Sequence, residues 1–349
     1  MVELSDPVEI AGLEIRNRFV MPPMVRERAT EDGEITEDLI QHYVARSKGG
    51  VGLIIVEAAA IAWEHRIMKR NVGIHEDRLI PGLARLAEGI KAHGSRAFIQ
   101  INHCGPKSFV ETRLVGPSPV PVRKNRIPEE LAVDEIHSIQ ELFVDAACRA
   151  QQAGFDGVEV HGAHFYLLSS FLSSYTNRRN DDYGGTTIKK AKFMVGIVKR
   201  IREELGDYPL ILRINGIENV VDGIDIEEAI EISKIAEKAG VDSIHVSCVV
   251  DPISNPSLPP RFTKDAMPDL LKGVPFDCCV PCAAQIKAHV SLPVIGVGMV
   301  RDAEFARSIM RKDLCDLLGV GRGLLADAEF ALKTLEGRDD EIIPWKDAD

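Results

Sequence analysis

The sequence predicts an α/β protein built as a (β/α)8 TIM barrel, and three observations carry that expectation. Seven times a helix-like segment closes on glycine or a polar turn and runs into a short apolar stretch: "SKGGVGLIIVE", "AHGSRAFIQI", "QAGFDGVEVH", "ELGDYPLILRI", "KAGVDSIHVS", "AHVSLPVIGVG" and "RKDLCDLLGVG". These stretches are near-continuous rather than alternating, as strands of a parallel sheet buried on both faces are. The segments between them carry apolar residues at three- and four-residue steps. In one, Ile136, Ile139, Leu142, Phe143, Ala146, Ala147 and Ala150 form a single stripe, which must cover a sheet. Adding the early run "NRFVMPP" brings the strands to eight, the number that closes such a barrel.

Taken in order, "VEIAGLEIRN" predicts an N-terminal hairpin ahead of the first barrel strand. That strand ends in "MPPM", with prolines where an open doubly wound sheet would carry its glycine-rich turn. No linker composition divides the 349 residues, so one domain over 1–349 is expected, a length that suits a barrel with insertions. Two long loops, Gly105 to Pro128 and Asp251 to Pro275, follow strands and fall on the active face. The net charge of −11, with no long basic run, argues against nucleic acid or an anionic membrane surface and for a small-molecule ligand. The start "MVELSDPVEI" lacks a basic leader region, and the apolar stretch from Val51 to Trp63 is broken by Glu57. A cytoplasmic protein is expected, with homo-oligomerisation left open. Seven cysteines, an odd number, point to a reducing compartment. Cys278, Cys279 and Cys282 form CC-x-x-C without a second pair at metal spacing, Cys315 stands alone, and no metal site is expected.

In this fold catalytic groups sit at the C-terminal ends of strands and in the loops after them. His161, His164 and Tyr166 follow the fourth strand, Gln100 and Asn102 close the third, Arg213 and Asn215 lie on the fifth, and His245 on the sixth. Singly, each is as well explained as a satisfied polar group of the barrel interior; together they converge on one rim. The last two strands end in "GVGMVR" and "GVGRG". Glycines there expose backbone amides before a helix, an arrangement that holds phosphate, and Arg322 adds a bidentate donor.

These motifs resemble the old yellow enzyme family of flavin-dependent ene-reductases, most closely its 2,4-dienoyl-CoA reductase branch. The resemblance runs nearly end to end, through "GLEIRNRFVMPPM", "HGAHFYLLSSFLSSYTNRRNDDYGG", "GVGM" and "GVGRGLLAD". It implies FMN across the C-terminal ends of the strands, reduced by NADPH or NADH. The phosphate would lie at Gly298, Met299, Gly321 and Arg322; Pro23, Met24, Ala58, Gln100 and Arg213 would surround the ring. The implied substrate carries a C=C bond conjugated to a carbonyl, with His161 and His164 donating to the carbonyl oxygen and Tyr166 protonating the α-carbon. Val25, Asn102 and Phe165 would border the substrate pocket.

The chain departs from the family pattern at several places. Val25 stands where Thr or Cys is usual, so no side chain there bonds the flavin O4. Phe165 replaces a common Gly and is expected to narrow the pocket or displace Tyr166. Pro106 replaces a frequent Arg and removes a positive charge from the rim. In larger relatives a stretch like "EGRDDEI" leads into cysteines of an iron-sulfur cluster and then a second nucleotide-binding domain. Here "EGRDDEIIPWKDAD" carries no thiol, so neither is expected, and NAD(P)H is expected to act directly in the substrate pocket unless a partner protein supplies the electrons. Two other readings stand beside this one: a dehydrogenase or amine demethylase of the same fold, and a non-flavin barrel lyase or binding subunit.

Overall fold

In the computed structural model, residues 2–250, 279–298 and 300–345 are described. Eight parallel strands close a barrel in chain order: Phe19–Met21, Leu53–Ala60, Arg96–Asn102, Gly157–Gly162, Leu210–Asn219, Ser243–Val250, Val294–Val297 and Leu317–Gly319. Closure is direct, with Leu318 beside Phe19 and Gly319 beside Val20. All eight predicted strands are present.

Between consecutive strands lie the helices Glu37–Lys48, Ile80–Lys91, Val133–Gln152, Lys192–Leu205, Ile226–Ala239, Cys279–Lys287 and Ala303–Arg311. The predicted stripe of Val133–Gln152 is the face it buries, apart from Leu142, which is only partly covered. Side-chain caps start several helices: the Thr36 hydroxyl accepts from the Leu39 N–H at 3.2 Å, and Asp225 accepts from the Glu228 N–H at 3.0 Å.

The predicted hairpin is also present. Val8–Ile10 and Leu13–Ile15 pair antiparallel across Ala11 and Gly12, whose φ of 51° and 72° suit the two-residue turn of matching twist. Ile10 and Ile15 pack with Val20, Leu53, Ile55, Phe98, Ile211, Ile295 and Leu317, inward-facing residues near the N-terminal ends of the strands. The hairpin thus plugs the bottom of the barrel with hydrocarbon. A Cβ on Gly157 would lie 2.4 Å from the Phe98 ring, so only glycine lets that ring fill the interior.

Toward the opposite end the second strand carries a bulge, with its register shifting between Val56 and Ala59. The shift turns Glu57 to the outside, where its carboxyl faces the Tyr43 hydroxyl at 3.3 Å and burial pushes it up to about 7. Ala58 turns to the rim beside Ile67 and Cys104. The loop expected from Gly105 to Pro128 is pinned at its base by a short ladder of Val115–Gly116 with Glu129–Glu130. The loop expected from Asp251 to Pro275, together with Cys278, lies outside the described residues. Among the described residues, no helix is long and apolar enough to cross a membrane.

Candidate active site

Side chains two apart on a strand share a face, so the parity that points Phe98 and Ile211 inward also points Gln100 and Arg213 inward. In register, His161 lies beside Arg213, and Arg213 beside His245. The strands therefore bring Gln100, His161, Arg213 and His245 into one network with His164 of the following loop. The Gln100 amide Nε2 contacts Glu159 Oε1 at 2.7 Å and His161 Nδ1 at 3.1 Å. Glu159 Oε2 contacts His245 Nδ1 at 2.6 Å. His161 Nε2 lies 3.4 Å from His164 Nδ1, and His164 Nε2 lies 2.7 Å from Ser247 Oγ. Arg213 Nη2 donates to that same Ser247 Oγ at 3.4 Å, while its buried Nε has no partner.

The loop after the fourth strand is held in an unusual shape. His164 and Phe165 both lie in the left-handed region, with φ of 63° and 58°, a conformation that costs a residue with a side chain about 1–3 kcal/mol. Three contacts maintain it. Asn215 Oδ1 accepts from the His164 N–H at 3.1 Å, Ser169 Oγ accepts from the Phe165 N–H at 3.2 Å, and Lys107 Nζ donates to the His164 carbonyl at 2.9 Å. The backbone at Phe165 explains why glycine suits this place. The Phe165 ring itself is fully buried in the wall, clustered with Val122 and Val220 and against Tyr175 and Val249. Tyr166, like Val25, packs against the cluster of Ala58, Ile67 and Cys104, and its ring lies 5.0 Å from that of His161.

The electrostatics follow from burial. Desolvation, reinforced by the Arg213 charge, holds His161 and His164 below the usual imidazole range, so both rings are neutral at pH 7. Burial raises the Tyr166 phenol above its ordinary range, and it keeps its proton. The Lys107 amine, pushed down to about 8 by desolvation, sits 5.4 Å from the Tyr166 ring centre. It returns to the wall a positive charge one residue after Pro106.

Beside this network opens a cavity of about 220 Å³ lined by Pro23, Met24, Arg213, Gly298, Gly321 and Arg322, all six predicted for the cofactor, and by Trp345. A Cβ on Gly321 would stand 3.3 Å from Met24 Sδ, so its lack of a side chain keeps the backbone open. The helix after the seventh strand starts at Ala303 and is already capped by Asp302, which accepts from the Phe305 N–H at 2.8 Å. The Phe305 amide at that helix start is therefore already satisfied within the chain. Met299 lies outside the described residues. An unpartnered buried Arg213 Nε, glycine-lined strand ends and an exposed guanidinium edge fit a large anionic cofactor with a polar ring edge.

Some candidates are already committed elsewhere. Asn215 holds the left-handed loop and bonds Ser169 and Glu218, and His245 is bonded to Glu159. Asn102 is buried with its Oδ1 unpartnered. Sequence reasoning missed Glu159, Ser247, Lys107 and Trp345. The parity of "VEVH" and "HVS" was the available signal for the first two. For Trp345, whose ring lies 3.6 Å from the Arg322 guanidinium, there was none. Among the described residues, no group of three or more His, Cys, Asp or Glu side chains is placed to hold a metal ion.

Residues 3–341 match the profile of the NADH:flavin oxidoreductase / NADH oxidase family. The chain belongs to this family. It is a member of a family of flavin oxidoreductases that use FMN. It is 41% identical over 342 residues to an NADH oxidase of Thermoanaerobacter brockii, covering 95% of this chain but 50% of that protein. The chain thus spans about half the length of that relative. It is 34% identical to an NADPH dehydrogenase of Bacillus pumilus, covering 94% of this chain and 93% of that one. Among solved structures, 2-naphthoyl-CoA reductase in complex with 2-naphthoyl-CoA superposes with a TM-score of 0.88 at 26% identity, covering 98% of this chain and 53% of the other. Morphinone reductase in complex with tetrahydroNAD gives 0.78 at 25% identity, covering 97% and 91%.

Proposed function

We propose that this flavin oxidoreductase is an ene-reductase acting on α,β-unsaturated carbonyl compounds. The observation that carries the proposal is the pair of neutral imidazole nitrogens, His161 Nε2 and His164 Nδ1, 3.4 Å apart at the rim, with the Tyr166 ring beside them. That spacing is long for a hydrogen bond between them and suits two donors sharing one oxygen.

Bound FMN supplies the hydride transfer from NAD(P)H to the β-carbon of the alkene. His161 and His164 hold the carbonyl oxygen, where negative charge gathers, in a site whose side chains are already ordered by their own hydrogen bonds. Tyr166, still protonated, gives its proton to the α-carbon. Gln100 and Arg213 would hold the polar edge of the cofactor ring, Pro23, Met24 and Ala58 would line it, and Gly298, Gly321 and Arg322, with Met299 as the sequence resemblance implies, would hold the phosphate. Asn102, Val25 and the wall behind Phe165 bound the substrate. An anaerobic assay with an enone and NADPH tests this: the saturated carbonyl product is expected. A protein that binds FMN and oxidises NADPH but leaves the enone intact would contradict it.

A further inference from the structure

Trp345 lines the cofactor cavity, and the reading above gives it no task. Its place is fixed by the chain that leads to it. Asp327 and Lys333 are buried, and Asp327 Oδ2 accepts from Lys333 Nζ at 2.8 Å and from the Ile343 N–H at 2.9 Å. Asp327 Oδ1 accepts from the Glu329 N–H at 2.9 Å, so both carboxylate oxygens are used. Ile342, one residue before this anchor, packs against the main core. Pro344 follows, with its φ set by the ring and Ile343 biased toward extended backbone. Trp345 therefore comes two residues after a fixed point, where its side chain borders the cavity with Gly298, Gly321 and Arg322.

Arg322 begins the short helix Arg322–Ala326 and is exposed. An arginine on a long rotatable stem loses conformational freedom when it takes up one geometry toward an anion. Trp345 restricts that freedom in advance, because the Arg322 guanidinium carbon lies over the indole, 3.6 Å from the ring centre. A guanidinium stacked on an indole uses its flat face, whereas its N–H donors point outward in its own plane. Stacking and phosphate binding thus use different parts of the group. The Arg301 guanidinium carbon lies 5.1 Å from the centre of the same ring. Arg301 follows the seventh strand and Arg322 the eighth, so one indole meets side chains from both of the loops whose glycines line the cavity.

We propose that Trp345 is a positioning residue for the cofactor phosphate: by stacking on Arg322 it holds the guanidinium edge toward the anion site, and through Arg301 it ties the loop after the seventh strand to the loop after the eighth. The inference rests on the reading above in one respect, that Arg322 holds the phosphate of FMN; it does not depend on which substrate the flavin reduces. Its consequence is selective. Loss of the indole weakens the grip on the phosphate and leaves Gln100 and Arg213, the residues assigned to the ring, untouched. A flavin without a phosphate is therefore indifferent to it.

Equilibrium dialysis of the full chain against FMN and against riboflavin, which lacks the phosphate, tests this. Trp345→Ala is expected to weaken FMN binding about five- to tenfold, the scale of a cation–π contact, with riboflavin affinity unchanged and Trp345→Phe recovering most of the loss. Unchanged FMN affinity in Trp345→Ala overturns the proposal. So does an equal loss for both flavins, which would make the indole a ring contact or a support of the fold. In a chain already carrying Arg322→Ala, Trp345→Ala is expected to have little further effect on FMN binding, and an undiminished loss there overturns the proposal as well. An error in the phosphate assignment beneath it would look different: Arg322→Ala alone would bind FMN as tightly as the wild type, and the proposal would fall with that assignment.

Discussion

The two ends of the barrel interior are built from the same strands and are almost equally buried, yet they do opposite things. At the bottom, Phe98 and Ile211 are 0% exposed; one turn of the pleat later, Gln100 is 2% exposed and Arg213 7%. The lower residues meet only hydrocarbon, including Ile10 and Ile15 of the hairpin. The upper ones meet one another through polar contacts, and Arg213 Nε, His245 Nε2 and Asn102 Oδ1 are left without partners. Burial therefore does not separate scaffold from site. Within the barrel interior, what separates the two ends is whether the buried polar atoms are satisfied, an unpaired one being costly; outside it, His42 Nε2 and His75 Nδ1 are among other buried atoms without partners.

Three substitutions test that contrast, in falling order of effect. Phe98→Ala removes a ring packed against Gly157 and the hairpin and should cost about 3–5 kcal/mol in denaturant unfolding, while phenol affinity of the folded, FMN-bound protein stays as it was. His161→Ala should cost about 3 kcal/mol of transition-state stabilisation, seen as slower enone-dependent flavin reoxidation, with folding stability nearly unchanged. A large loss of stability there would show the upper layer to be scaffold as well. Ile15→Val trims one methyl from the bottom plug and should cost about 0.5–1.5 kcal/mol, with both half-reactions at wild-type rates.

The barrel was legible because parallel strands covered on both faces have few polar interruptions, and the interruptions that exist, such as Gln100 and Arg213, recur at the upper end. Strand order then placed them on one rim, at the ends of the third and fifth strands. The bulge at Val56 to Ala59 was not legible, because Glu57 sits in an apolar run that period two alone would orient inward. Nor was the left-handed pair at His164 and Phe165, which depends on distant partners: Asn215 from the next strand and Lys107 from the previous loop. The resemblance marked Phe165 as out of pattern, but its burial among Val122, Val220 and Tyr175 is a tertiary fact. The loss of charge at Pro106 was visible in the sequence, whereas its replacement by Lys107 depended on how a short turn, Gly105–Lys107, aims the next side chain.

The central claim is that the upper layer ends in a protonated tyrosine that serves the substrate and not the nicotinamide. Rapid-mixing measurement of the two half-reactions in Tyr166→Phe tests it most directly. Reduction of bound FMN by NAD(P)H is expected to keep its wild-type rate, while reoxidation by an enone falls by roughly 10²–10⁴. Equal losses in both half-reactions, or none in reoxidation, would contradict the assignment.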